Sequence, residues 1–369
     1  MKGKTPGMAA KPLLCIFFGL IMLLHGCGGP TSNQDSTTNQ SNRKPKVDNG
    51  PKREVTFFAV GDIMLSRGVA AVINRSGIDR PFGLCKDELL KTDFNFGNFE
   101  SPVSGNDSRV GRGLVFNTRV RDVAAITNAN FKVVNLANNH MFDQGLPGMR
   151  NTLKVMNERN IINVGVGEDL SEAWKPKDLT EKGIKIAFIG ASFSSSNNLG
   201  KTRNDQVARV EDLDRLKAAV TEAKKNSDFV LVTMHAGVEY TREPNKLQVD
   251  FARAAVDDGA DIVIGAHPHW IQTTEQYKGK WIFYSLGNFI FDQHDPETHR
   301  GLTLRIKLSA PSPDKPDGGA SVEKIELLPI VLDTVGVPRF ANAIETQSIL
   351  HSIRMDGQAV ITAASGPNQ

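Results

Sequence analysis

Cysteine is scarce, with three residues in 369 at positions 15, 27 and 85. That excludes a disulfide-stapled scaffold and a thiolate zinc site. Long hydrophobic runs are scarcer still. The only extended one, Leu13 to Leu24, is twelve residues long, too short to span a bilayer, so a polytopic membrane protein is excluded. The 33 glycines fall far below the one-third of a collagen-like chain, and a 40% hydrophobic share is too high for a wholly disordered one. No internal repeat is evident. Charge of one sign is also missing. The formal +3 arises from Lys2, Lys4 and Lys11, and removing them from 44 basic residues leaves 41 against 41 acidic ones. A balanced chain lacks the electrostatic footprint of phosphate-backbone binding, so nucleic acid is not an expected partner. What remains is one large or two ordinary globular domains.

The three lysines, the apolar run and the sequence Leu24-His25-Gly26-Cys27 resemble a bacterial lipoprotein signal. Residues 1–26 are then the signal peptide, and Cys27 is the lipidated residue of an exported, membrane-anchored protein. An ordinary secretory signal or an uncleaved anchor is the alternative, and either one also exports the chain. With Cys15 removed and Cys27 acylated, Cys85 is the one remaining thiol, read as a packing residue. Residues 27–53 are polar, with Val47 the single aliphatic side chain, and read as a flexible tether. The folded domain is expected over 54–340, with 341–369 as a C-terminal tail.

From Glu54 onward short apolar runs alternate with helical periodicity. Strands are expected at 55–60, 94–99, 132–136, 184–190, 229–234, 262–265 and 281–285, each nearly continuous in apolar residues, as in strands buried on both faces. Helices are expected at 122–129, 149–159, 210–225 and 246–258, and after Gly301 only strands, at 302–308 and 321–330. This alternation predicts a layered α/β domain.

Functional groups in open α/β sheets gather beyond the carboxyl ends of strands. Here those ends carry Asp62, Glu100, Asn138-Asn139-His140, His235 and His267-Pro268-His269. Carboxylate, amide and imidazole without thiolate suit Mn, Fe or Zn. His267 and His269, one residue apart, would face the same side of an extended segment and could approach neighbouring metals. A metal pair about 3.5 to 4 Å apart can clamp the attacking and leaving oxygens of a phosphoester displacement. The constellation therefore favours hydrolysis over redox chemistry.

The segments 61–67 (GDIMLSR), 98–102 (NFESP), 135–140 (NLANNH), 265–269 (GAHPH) and 284–293 (YSLGNFIFDQ) resemble the capsule-synthesis, poly-γ-glutamate CapA group, over roughly residues 54–300. That group belongs to the calcineurin-like metallophosphoesterases. The resemblance implies a four-layer sandwich of two mixed sheets flanked by helices. It implies a metal site of Asp62, Glu100, Asn139, His235, His267 and His269 holding one or two divalent transition ions, Mn, Fe or Zn. It makes His140 the general acid or transition-state contact. The superfamily's first motif is Asp-x-His, but Met64 stands where its histidine belongs. One metal position thus lacks an imidazole, and the other keeps Glu100, Asn139, His235 and His267. Arg67 is a candidate catalytic anion contact. Asn288 and Asp292, with Gln293, are candidates for lining a substrate groove.

Two functions follow. One is a metal-dependent hydrolase or transferase at the envelope, acting on a phosphoester or an anionic polymer. The other is a non-catalytic subunit that binds polymer or a membrane synthase through a degenerate site.

Overall fold

The computed structural model describes residues 52–108, 114–194, 205–311 and 319–362. The signal peptide, Cys27 and nearly all of the tether lie outside the described residues.

Two mixed sheets form the centre. The first runs in the order β14 (Pro338–Phe340), β13 (Ser321–Leu332), β12 (Arg300–Ala310), β1 (Arg53–Ile63), β2 (Phe94–Phe99), β3 (Phe131–Asn135) and β4 (Ile162–Val164). Two short strands join it off that path: β11 (Asn288–Ile290) on β1, and β15 (Val360–Thr362) on β13. The second sheet runs β5 (Lys177–Glu181), β6 (Ile184–Ser192), β7 (Phe229–His235), β8 (Ile262–Ala266), β10 (Lys280–Phe283) and β9 (Thr274–Tyr277). Parallel pairing links β1 to β4 and β6 through β8 to β10, with antiparallel strands at the margins.

The period of two in β1 decides which core each residue joins. Val55, Phe57 and Ala59 point between the sheets, while Phe58 and Val60 point outward to the helices. Phe57 stacks on Phe94 at 4.6 Å, opposite Ile184, Ile186 and Phe188 of the second sheet. Removing such a ring costs about 3 to 5 kcal/mol, so Phe57→Ala would open the intersheet layer. On the outer face of the first sheet lie α1 (Arg67–Ser76), α2 (Lys86–Leu89), α3 (Ala124–Asn128) and α4 (Gly145–Glu158). On the outer face of the second lie α5 (Leu170–Ala173), α6 (Leu213–Asn226) and α7 (Lys246–Asp258). The result is the four-layer α/β/β/α sandwich expected from the sequence. Helix α7 occupies the expected span because Asn245 and Gln248 form a capping box at its start and Gly259, at φ 119°, closes its end.

Several local expectations are corrected. Helices do not stop after Gly301: α8 (Ala343–Ser352), with its own Asn342–Glu345 capping box, follows. Residues 341–362 are not a tail, because Ile349, Leu350, Ile353 and Ile361 enter the intersheet core and β15 pairs with β13. The expected helix 122–129 begins as a 3-10 turn, Val120–Val123, before α3. Cys85 is buried as expected, its thiol pushed up to about 12 by burial. Among the described residues no helix is long and apolar enough to cross a membrane.

Candidate metal and catalytic site

The carboxyl ends of β1, β2, β3, β7 and β8 meet at one end of the sandwich, where each delivers a polar group. Asp62 comes from a register irregularity in β1, which re-aims a side chain as β-bulges do. There β11 pairs with β1 in parallel and sets Asn288 beside Asp62. The approach requires Gly61, because a Cβ there would stand 1.8 Å from the Gly287 carbonyl oxygen.

Asp62, Glu100, Asn139, His140, His235, His267 and His269 are all buried and all brought together. His269 Nδ1 lies 3.4 Å from Asp62 Oδ2, and the His267 backbone N–H donates to the same oxygen at 3.3 Å. His235 Nε2 lies 2.8 Å from Asn139 Oδ1 and 3.8 Å from Glu100 Oε1. His140 Nε2 lies 3.7 Å from that same Glu100 oxygen. The His267 ring centroid is 4.7 Å from that of His235 and 6.2 Å from that of His269.

Glu100 is the anomaly at the centre. It is fully buried, yet neither carboxylate oxygen accepts a hydrogen bond. Burial, reinforced by the Asp62 charge and by the hydrogen bond that a protonated Glu100 can share with Asp62, drives its pKa well above the usual carboxylate range, while neither oxygen meets an N–H or hydroxyl donor. Burial also pushes His235 and His267 well below the ordinary histidine value, with their neighbouring imidazoles adding to the effect, so both are neutral. Neutral imidazoles are the state a metal requires of its histidine ligands, and a cation beside Glu100 would offset the burial and the Asp62 charge that hold its carboxyl protonated. Asp62, Glu100 and His269 each place one ligand atom within 4.8 Å of the other two. These residues fit a divalent transition ion.

The structure changes the reasoning for several residues. His267 and His269 do not share a face of an extended strand: both have left-handed backbones, φ 100° and 59°, in the bend after β8, and that bend turns their rings inward. The position expected to suffer from Met64 is the one with converging ligand atoms, and Met64 is buried with its sulfur accepting from Ser66 N–H at 2.9 Å. Asn288 and Asp292 do not line an open groove. Asn288 is buried, with its oxygen on His269 Nδ1 at 2.9 Å and its amide donating to Gln293 and Thr298. Asp292 pairs with Arg67 and accepts from Gly68 N–H at 2.7 Å. Arg67, at φ 45°, lies over the Phe116 and Phe291 rings, which pack against His140 and His269 respectively. Its guanidinium therefore borders both ends of the cluster.

Sequence reasoning missed Asp143, Asn98 and Phe116. Asp143 Oδ2 holds His140 Nδ1 at 2.7 Å and also accepts from Phe116 N–H, so the His140 Nε2 edge faces the cluster. The signal was the spacing of three residues at the entrance to a turn. Asn98 lies near the end of β2, two residues before Glu100. It donates to Asp62 Oδ1 at 2.7 Å and meets His235 Nδ1 at 3.1 Å.

A calcineurin-like phosphoesterase from Bacillus subtilis, YfkN, is similar in structure at 16% identity and a TM-score of 0.46, over 82% of this chain and 98% of that one. The chain is 37% identical to the PGA biosynthesis protein CapA of Bacillus subtilis over 72% of its own length and 70% of that protein's. It is 35% identical to the capsule biosynthesis protein CapA of Bacillus anthracis over 82% of its length and 74% of that protein's. The family model for bacterial capsule synthesis protein PGA_cap matches residues 56–293, the span that supplies every residue of the cluster described above, and the chain belongs to that family.

Proposed function

We propose that the protein is an exported, lipid-anchored member of the apparatus that makes a capsule or a poly-γ-glutamate-type polymer, and that its site is a metal-dependent hydrolase or transferase of the phosphoesterase type. One observation carries the catalytic part: a carboxylate, Glu100, buried without a hydrogen-bond donor among neutral imidazoles and Asp62. Such a group costs the fold several kcal/mol unless a cation joins it.

Asp62, Glu100 and His269 would hold the ion, with Asn139, His235 and His267 around it. A bound divalent ion supplies Lewis-acid polarisation of a phosphoryl oxygen. The chain's own groups do the rest. Asp143 fixes the ring of His140 so that Nε2 can give a proton to a leaving oxygen, an effect typically worth 10²- to 10⁴-fold. Arg67, held by Asp292, offers its charge to substrate anionic oxygens at the same edge. The substrate is a phosphoester or an end of the anionic polymer, with membrane synthase subunits as partners.

Met64 favours a second reading, in which the pocket binds polymer or synthase without turnover. Metal analysis of the purified protein, followed by phosphodiesterase and phosphomonoesterase assays on wild type and His140→Ala, separates the two. Hydrolysis that needs metal and His140 supports the enzyme. Metal-bound, inactive protein that still sustains polymer production in cells supports the scaffold.

A further inference from the structure

Tyr240, in the segment between β7 and α7, has a left-handed backbone, φ 61°. A bulky residue rarely adopts that conformation, and it persists only where the surroundings impose it. Here the surroundings are bonds to the bend after β8. Tyr240 N–H donates to the Pro268 carbonyl at 2.9 Å, and Thr273 N–H donates to the Arg242 carbonyl at 3.0 Å. Arg242 Nη1 in turn donates to the Ile271 carbonyl at 2.7 Å, with its guanidinium 5.3 Å from the centre of the Trp270 ring. The Tyr240 ring is thereby held 6.2 Å from that of His269 and 6.5 Å from that of Trp270, yet the residue stays 44% exposed.

Two amides set the direction of its hydroxyl. The Thr298 carbonyl can only accept, so the Asn288 atom 3.1 Å from it belongs to the NH₂ group. That NH₂ gives its other hydrogen to Gln293 Oε1 at 2.8 Å, which leaves the Gln293 NH₂ to face Tyr240 Oη at 3.4 Å. Tyr240 Oη therefore accepts from Gln293, and its own hydrogen is left to donate. Among the described residues no protein group takes that hydrogen. The His269 ring also packs on Phe291 at 4.8 Å, and the Arg67 guanidinium lies 5.8 Å from the centre of the Phe291 ring. Tyr240 and Arg67 thus border the same imidazole, one as a neutral donor and one as a charge.

We infer that Tyr240 is a substrate-binding residue, whose O–H donates to an anionic oxygen of the phosphoryl group and whose direction is set by Gln293. This rests on the metal-dependent phosphoesterase reading above and adds a contact to it. A phenol keeps its proton throughout the neutral range, so the donor is present wherever Arg67 is charged.

The test is a calorimetric titration of Mn²⁺-loaded protein with inorganic phosphate. Tyr240→Phe keeps the ring and removes the hydroxyl. Its Mn²⁺ content and Tm should match wild type while the phosphate Kd rises about 10- to 100-fold, the range for one hydrogen bond to a charged group. Gln293→Glu offers one oxygen to Asn288 and the other to Tyr240, so it captures the O–H and should weaken phosphate binding similarly. In Tyr240→Phe there is no hydroxyl to capture, so adding Gln293→Glu should cost less than about threefold more. Additive losses would mean that the glutamate acts by its charge, and they would overturn the inference. So would wild-type phosphate affinity in Tyr240→Phe, or a fall in its Mn²⁺ content, which would make the tyrosine a support of the metal site. Metal-dependent hydrolysis by wild type would leave the phosphoesterase reading standing in each of these cases. A wild type that neither binds phosphate with Mn²⁺ nor hydrolyses phosphoesters would overturn both.

Discussion

Glu100→Gln should stabilise the metal-free protein and abolish its response to metal. The carboxylate is buried, accepts no hydrogen bond and lies beside Asp62. Its cost at pH 7 has a ceiling, because a carboxyl more expensive to ionise takes up a proton: at 1.36 kcal/mol per unit from a reference near 4.3, the ceiling is about 4 kcal/mol. Glutamine removes that term but leaves an amide to satisfy, at about 1 to 3 kcal/mol. The net gain is therefore at most about 1 to 3 kcal/mol, or at most roughly 2 to 6 °C in Tm at about 2 °C per kcal/mol for a domain of this size. The sign can be checked with pH. The folded-state pKa of Glu100 is raised, so its contribution is fully present below the unfolded value near 4.3 and is lost as pH rises through the folded value. The advantage of glutamine should therefore vanish near pH 4 and grow as pH rises toward the folded value. With metal the order reverses, since an ion at 1,000 times its Kd adds about 4 kcal/mol to the wild type alone. Thermal melts of both proteins in EDTA and in Mn²⁺, at pH 4 and pH 7, would measure all of this. A variant that melts lower than wild type in EDTA at pH 7 would refute the argument, because Glu100 would then be a satisfied structural group.

Three further outcomes follow from named residues. Cys27→Ser should move the protein from the membrane to the soluble exported fraction, and unchanged membrane retention on fractionation would show a different anchor. Asp143→Asn should lower turnover about 10- to 100-fold through a misoriented His140 while metal content stays constant, and equal loss of metal would make Asp143 a scaffold residue. Cys85, buried with its thiol pushed up to about 12, should resist disulfide-exchange reagents at pH 8 until denaturant unfolds the domain, and rapid labelling of native protein would contradict that burial.

Much of the site was legible because strands buried on both faces are apolar, so a polar residue at a strand end stands out. That contrast exposed Asp62, Glu100, Asn139, His140, His235 and the His267–His269 pair, and the alternation of strand and helix fixed the layered class. The missed elements are short or weakly patterned. Strands β4, β11, β14 and β15 have three residues each and are held by partners far away in sequence. Helix α8 was missed because most of its surface is not a clear stripe, though its capping box was present in Asn342 and Glu345.

Composition and pattern by themselves thus determined the class of fold and which polar residues stand at the strand ends, since burial preference is a property of the side chains. Tertiary structure alone decided how those residues are used. Asp292 became a partner of Arg67, and Asn288 and Asn98 became the hydrogen-bond partners of His269 and His235. Backbone carbonyls of Ala137 and Thr298 accept from the amides of Asn135 and Asn288 and hold those side chains in place. Contacts between positions 98 and 235, or 269 and 288, form only when strands from both sheets close over the same end of the sandwich.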